Sequence, residues 1–191
     1  MTKQLPYPSS FPNAGEQNYL RLLLSSDSEF PARFERWKRD IVFDDIDSAT
    51  YGLLPMLHLR LAALGIEDDS ITGRIRGVYK LVWYRNHRLL EAVRRIAQGC
   101  VEAGIPLMQL KGCALLLNVY RDPATRLLGN CDLLVHSKDA ASVLALLKRE
   151  GWQRQDEFGR RYAISVPSVD ACSDLGPDRR GHAESFTNDN G

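Results

Sequence analysis

One segment of this 191-residue chain concentrates side chains that can do chemistry: LKGCALLLNVYRDPATRLLGNCDLLV, Leu110 to Val135. It begins with a Lys111-Gly112 step and ends with a single acid, Asp132, set in an apolar strand pattern. Side chains on a strand alternate between faces, so positions 130 and 132 share one. Two carboxylates at that spacing hold Mg²⁺, a hard cation that favours carboxylate, water and phosphate oxygens. Here position 130 is Asn130, whose amide oxygen can ligate the ion but brings no charge. A glycine opening a helix lets a phosphate approach backbone N–H groups, and Lys111 beside it offers a point charge. Taken singly, Lys111-Gly112 is a turn and Asp132 a strand-end carboxylate. Taken together and in this order they point to a phosphate and metal site.

The elements that must position this segment follow from its periodicity. IPLMQLKG reads as a short strand ending at Lys111-Gly112, CALLLNVY as a helix, and RDPATR as a turn around Pro123. NCDLLV reads as a second strand, and SKDAASVLALLKREG as a helix with Ser137 as N-cap and Gly151 beyond its end. Strand, helix, strand, helix from Ile105 to Gly151 predicts a short mixed sheet with packed helices.

Before it, the chain reads as helices. Pro31 marks a helix start after Ser28. Leu54, Leu57, Leu61 and Leu64 recur at helical spacing up to Gly65, with Pro55 expected in the first turn. The longest pattern runs from Ser70 to Gly104. Val78, Leu81, Val82, Leu89, Val93, Ile96 and Val101 form its apolar side. Arg74, Arg76, Lys80, Arg85, Arg88, Arg94 and Arg95 fall mostly on the other, as a face for an anionic substrate or as an ordinary solvated surface. Trp37, Trp83 and Trp152 are expected in cores or at a domain interface. The predicted organisation is a flexible lead-in over 1–14, a helical region over 15–104, an α/β core over 105–158 and an irregular or disordered tail over 159–191. The fold class is α+β, or α/β within the core. The tail differs abruptly in composition from what precedes it, which points to a truncated or frame-altered end.

Bulk properties narrow the function classes. Apolar residues make up 44% of the chain and charged residues 26%, enough for a packed core and an ordinary polar surface. A net charge of +1 gives no nucleic-acid or anionic-membrane signal. No apolar run approaches a membrane span. Cys100, Cys113, Cys131 and Cys172 show no CxxC pair, so zinc and a disulfide framework are not expected; small half-buried thiols in a reducing cytoplasm are. His58, His87, His136 and His182 read as surface or packing residues.

LKGCAL, YRDPATR and CDLLV resemble, in order and spacing, a bacterial family of uncharacterised nucleotidyltransferases within the polymerase-beta-like superfamily. EAGIPLM before them, LLKREGW after them and LLPMLHLRL upstream extend the resemblance to roughly Leu53–Trp152. It implies transfer of a nucleoside monophosphate from an NTP, with Mg²⁺ or Mn²⁺, to an unknown acceptor: a small molecule, a sugar-type intermediate, a peptide or a protein. It also implies Asp132 and Asn130 as catalytic metal-ligand positions. Lys111, Gly112 and Cys113 become the nucleotide-binding turn, Cys113 standing where the superfamily has Gly or Ser. Arg126 becomes a phosphate clamp, unless it pairs with Asp122 to staple the turn.

Two departures bear on activity. Asn130 removes one negative charge beside the cation, and a unit charge about 4 Å away is worth about 4 kcal/mol at an effective dielectric near 20. The superfamily also draws a third acid from a later strand; Asp156, Glu157 and Asp170 are available, but nothing around them marks a strand like that of Asp132. The sequence therefore carries a second reading: an inactive relative that binds nucleotide or a protein partner, or a truncated product without function.

Overall fold

A computed structural model of the chain describes residues 11–66, 70–120, 122–154, 163–166 and 184–187. The chain divides into two compact units, Met1–Tyr79 and Lys80–Gly191.

In the first unit, α1 (Ala14–Leu23) begins with a full capping box: Asn13 accepts from the Glu16 N–H, and the Glu16 carboxylate accepts from the Asn13 N–H. The second helix, α2 (Phe30–Asp40), has Pro31 in its first turn as the sequence predicts. Asp47 caps α3 (Ser48–Ala63) by accepting from the Ala49 and Thr50 N–H groups. That cap starts the helix well before Pro55, so Pro55 lies inside α3 and not in its first turn. Leu54, Leu57 and Leu61 are buried as expected. Arg60 donates to the carbonyls of Leu22, Leu23 and Ser25, supplying donors that the end of α1 cannot make for itself. Tyr19, Phe34 and Trp37 form an aromatic cluster in this unit.

The long helix α4 (Ser70–Glu102) contributes to both units. Its buried positions include Thr72, Ile75, Val78, Val82, Asn86, Leu89, Val93, Ile96 and Cys100, at steps of three and four. Leu81, Trp83 and Val101 are exposed, so the stripe turns slightly away from the one read in the sequence. Of the basic side chains, Arg94 and Arg95 pair with Glu91, whose carboxyl is held down to about 2, first by the Arg94 hydrogen bond. The solvated-surface reading accounts for that part of the face.

In the second unit, β1 (Leu107–Leu110) leads directly into α5 (Lys111–Leu115), which runs on as a π-helical turn, Leu116–Tyr120. Then come β2 (Asn130–Val135), a 3₁₀ turn at Ser137–Asp139, and α6 (Ala140–Arg149). Ser137 therefore opens the 3₁₀ turn and does not cap α6. Three short strands complete the sheet: β3 (Gln153–Arg154), β4 (Ala163–Val166) and β5 (Glu184–Thr187). The strand order is β1-β2-β4-β5-β3, with β2 parallel to β4 and the other pairs antiparallel. Two of these strands stand within the segment whose composition reads as irregular. The remainder of 159–191, including Cys172 and His182, lies outside the described residues, as do 1–10 of the lead-in.

The core of this unit gathers Leu89, Val93 and Ile96 of α4, Cys113, Leu116, Leu133, Val135, Leu147 and Trp152. A methyl on Gly99 of α4 would meet Leu146 Cδ2 of α6 at 2.4 Å, so glycine is what lets these helices approach. Cys100, Cys113 and Cys131 are free thiols, fully rather than half buried.

Tyr19 is 1% exposed, and its hydroxyl has no hydrogen-bond partner among the described residues. Burial pushes the phenol well above its ordinary range. Tyr19→Phe removes a desolvated hydroxyl without changing the packing, so it should raise unfolding free energy by about 1 kcal/mol. Urea denaturation followed by circular dichroism tests this; a loss of stability would mean that the hydroxyl is bonded.

Candidate functional site

The strand that carries Asp132 is central in the sheet. β1 pairs with it on one side and β4 on the other, so its backbone is fixed by two ladders. Cys131, Leu133 and Val135 point into the core at 0–1% exposure, which sends Asn130 and Asp132 to the opposite face. Asp132 is 6% exposed and Asn130 is open to solvent. Asn130 Nδ2 lies 3.4 Å from Asp132 Oδ1, and Lys111 Nζ lies 3.5 Å from the same oxygen. Three of the residues predicted from sequence thus converge on one carboxylate.

Lys111 reaches that position because the chain turns sharply between β1 and α5. Leu110 is extended, and Lys111 has φ +49, the left-handed region that a side chain rarely occupies. Among the described residues, no other side-chain-bearing residue has a positive φ. Strain of this kind costs about 1–3 kcal/mol and gathers at ligand sites.

Gly112 follows, and a Cβ there would sit 3.2 Å from Leu128 Cδ2 and 3.6 Å from Arg126 Nε. The glycine eases the close approach of Leu128, and the Arg126 guanidinium lies in ordinary contact distance of the turn. With α5 only five residues long, its dipole contributes little. The positive charge here comes chiefly from Lys111 and Arg126.

The turn 122–128 is organised without an Asp122–Arg126 pair. Asp122 Oδ1 accepts from the Ala124 N–H at 2.8 Å, and the Thr125 hydroxyl donates to the Asp122 carbonyl. Among the described residues, Arg126 is exposed and has no ion-pair partner.

Cys113 and Cys131 share a hydrogen bond under this turn. That bond, then burial, then the nearby charges push the Cys131 thiol up. Cys113 is 0% exposed, so it packs beneath the turn rather than facing a ligand.

The later strands add no carboxylate in register. Asp132 stands beside Ser165 on β4, and Ser165 beside Ser185 on β5. Asp156, Glu157 and Asp170 lie outside the described residues. Among the described residues, no three of His, Cys, Asp and Glu gather into a potential metal cluster. His58 stacks against Tyr79, and His87 lies on Trp83 with Nδ1 at 3.0 Å from the Trp83 carbonyl. A cleft of about 420 Å³ lined by Arg21, Arg36, Asp40 and Asp47 belongs to the first unit and holds none of the signature residues.

One residue in this neighbourhood escapes a search for chemical side chains. Asn86 of α4 is 0% exposed and bonds three backbone groups of the turn that leads into β2. Its signal is positional: an amide at a step of the α4 stripe where every neighbouring step is apolar or a thiol.

A family model described as "Uncharacterised nucleotidyltransferase" matches residues 48–186. No curated protein and no solved structure matches the chain. Among the described residues, no helix is long and apolar enough to cross a membrane.

If Lys111 is strained, Lys111→Gly should exceed Lys111→Ala in stability by about 1 kcal/mol, since both lose the ammonium and only glycine relaxes the backbone. Parallel urea titrations measure the difference. Equal stabilities would show that the turn costs nothing.

Proposed function

The chain belongs to the family of uncharacterised nucleotidyltransferases, and from that premise we propose that it binds an NTP at the 111–132 site and transfers the nucleoside monophosphate to an acceptor. The observation that carries this reading is the convergence of Lys111 and Asn130 on Asp132, beside a glycine turn against which Arg126 lies with no ion-pair partner among the described residues. The family typically uses divalent metals.

One carboxylate and one amide do not make a stand-alone cage for Mg²⁺ or Mn²⁺. They fit an ion that arrives on the triphosphate, because Mg²⁺ is commonly held by one or two carboxylates with phosphate and water oxygens completing the shell. Asp132 would be its charged ligand and Asn130 Oδ1 a neutral one. Such an ion, when bound, neutralises charge that develops as pyrophosphate leaves.

The chain's own residues do the rest. Lys111, 74% exposed, is held loosely enough by Asp132 to swing its ammonium to a phosphate oxygen. Arg126 offers a planar fork to the same group. In the transfer, an acceptor oxygen or nitrogen forms a bond to the α-phosphorus, the bond to the β-phosphate oxygen breaks, and the acceptor proton leaves to solvent. The acceptor is a small molecule, a peptide or a protein. Three buried free thiols fit a reducing compartment such as the cytoplasm.

Asn130 and the serines in register with Asp132 favour a second reading for the rate: nucleotide is held and turned over slowly or not at all. A labelling experiment separates the two. The chain is incubated with each α-labelled NTP, Mg²⁺ or Mn²⁺ and cell extract, alongside Asp132→Ala and Asn130→Asp. Transfer predicts weak label in the parent, a loss of roughly a hundredfold in Asp132→Ala, and a gain of roughly tenfold or more in Asn130→Asp, which restores the missing charge. Label that survives Asp132→Ala would sink the assignment. Label seen only with Asn130→Asp would establish the binding reading for the natural chain.

A further inference from the structure

Asn86 is a polar residue in an apolar stripe, and every atom of its amide is used. Nδ2 donates to the carbonyls of Pro123 and Arg126, the latter at 2.6 Å, and Oδ1 accepts from the Leu128 N–H at 3.0 Å. Two carbonyls and one N–H dictate this orientation of the amide. The three groups span the turn between the π-helical segment and β2, a stretch without regular secondary structure that must nonetheless enter the sheet in register. An isolated buried amide is costly; one whose donors and acceptor are all satisfied specifies a single arrangement of its partners.

What it arranges is Arg126. The carbonyl that Asn86 holds belongs to Arg126 itself, and the N–H it holds belongs to Leu128, whose side chain meets Gly112. The guanidinium therefore reaches Gly112 from a backbone pinned directly after its Cα, and again three residues before it at the Pro123 carbonyl. Without the pin, an exposed arginine on a surface turn would sample many positions, and ordering it on a ligand would cost binding free energy. Along α4 the burial pattern at position 86 would be met equally well by leucine, so packing alone does not account for an amide.

We infer that Asn86 is a positioning residue that pre-organises Arg126 over the Gly112 turn to receive the triphosphate of an NTP, an inference that rests on the proposed nucleotide site. It acts through Arg126 and does not itself touch the ligand.

The test is a double-mutant cycle on NTP affinity. Asn86→Asp keeps the acceptor for Leu128 and removes both donors; Asn86→Ser is made beside it, since its smaller side chain admits water should the aspartate not fold. Each is combined with Arg126→Ala, and binding of ATP, GTP, CTP and UTP with Mn²⁺ is measured by calorimetry. Backbone exchange at Leu128 and at α6 is followed in the same proteins. The expected result is an affinity loss of about tenfold from either Asn86 variant in the parent, shrinking to less than about twofold once Arg126 is already alanine. Leu128 should lose protection while α6 keeps it. An equal loss in both backgrounds would mean general damage and overturn the inference, as would unchanged affinity after Asn86→Asp. A parent chain that binds none of the four nucleotides would instead bring down the proposed site, and this inference with it.

Discussion

A carboxylate almost fully withdrawn from water has to be met by something positive, and Asp132 makes that demand at the centre of the sheet. Its strand is paired on both edges, so the carboxylate cannot move to find a partner. The partner moves instead. Lys111 takes a left-handed backbone conformation that places its ammonium 3.5 Å from Asp132, and the turn between β1 and α5 takes its form from that placement. An ion pair with so exposed a lysine contributes little to stability, on the order of 0–1 kcal/mol. A strained residue held by a weak contact contributes little as scaffold, which is consistent with the proposed role of Lys111 toward a phosphate.

The same economy governs the turn before β2. Its carbonyls and N–H groups lie too far from any ladder to be satisfied by the sheet, so a helix supplies the donors and acceptor through Asn86. Cys113 and Cys131 then close the space beneath, each too small to disturb the helix-to-strand approach. The site is thus a surface made by three backbone segments that meet over a packed core, with its charged side chains projecting outward from fixed Cα positions.

Much of this was legible in the chain. Strand, helix and strand around the site followed from the change of period at Ile105 and the turn chemistry of Asp122-Pro123, and both are local effects. What failed to read were features set by distant partners. Pro55 looked like a first-turn residue because the cap that starts α3, Asp47, competes with nothing visible in the apolar pattern. Val101 looked buried by spacing, yet the helix end carries it out to 77% exposure while Cys100 faces the core. Asn86 gave only a positional warning, an amide on the buried stripe of α4, because its three backbone partners lie 37 to 42 positions away. The short strands β4 and β5 carry too few large apolar side chains to show a period of two, and they exist by pairing with β2 and with each other.

An amide rather than an acid at position 130 sets the charge of the site in a definite direction. With two carboxylates and two cations, Lys111 and Arg126, the site would be neutral before any ion arrived. With Asn130 it is positive by one charge. A neutral site with paired acids repels the oxygens of a bare triphosphate locally and accepts them only when a cation intervenes. A positive site with a single acid attracts the triphosphate by itself, and the term is worth kilocalories at contact distances even under strong screening. On the proposed reading, the amide also leaves less negative charge where a metal would be held during bond breaking. Affinity for nucleotide and capacity for transfer would then draw on different atoms: the cations of the turn for the first, and Asp132 for the second.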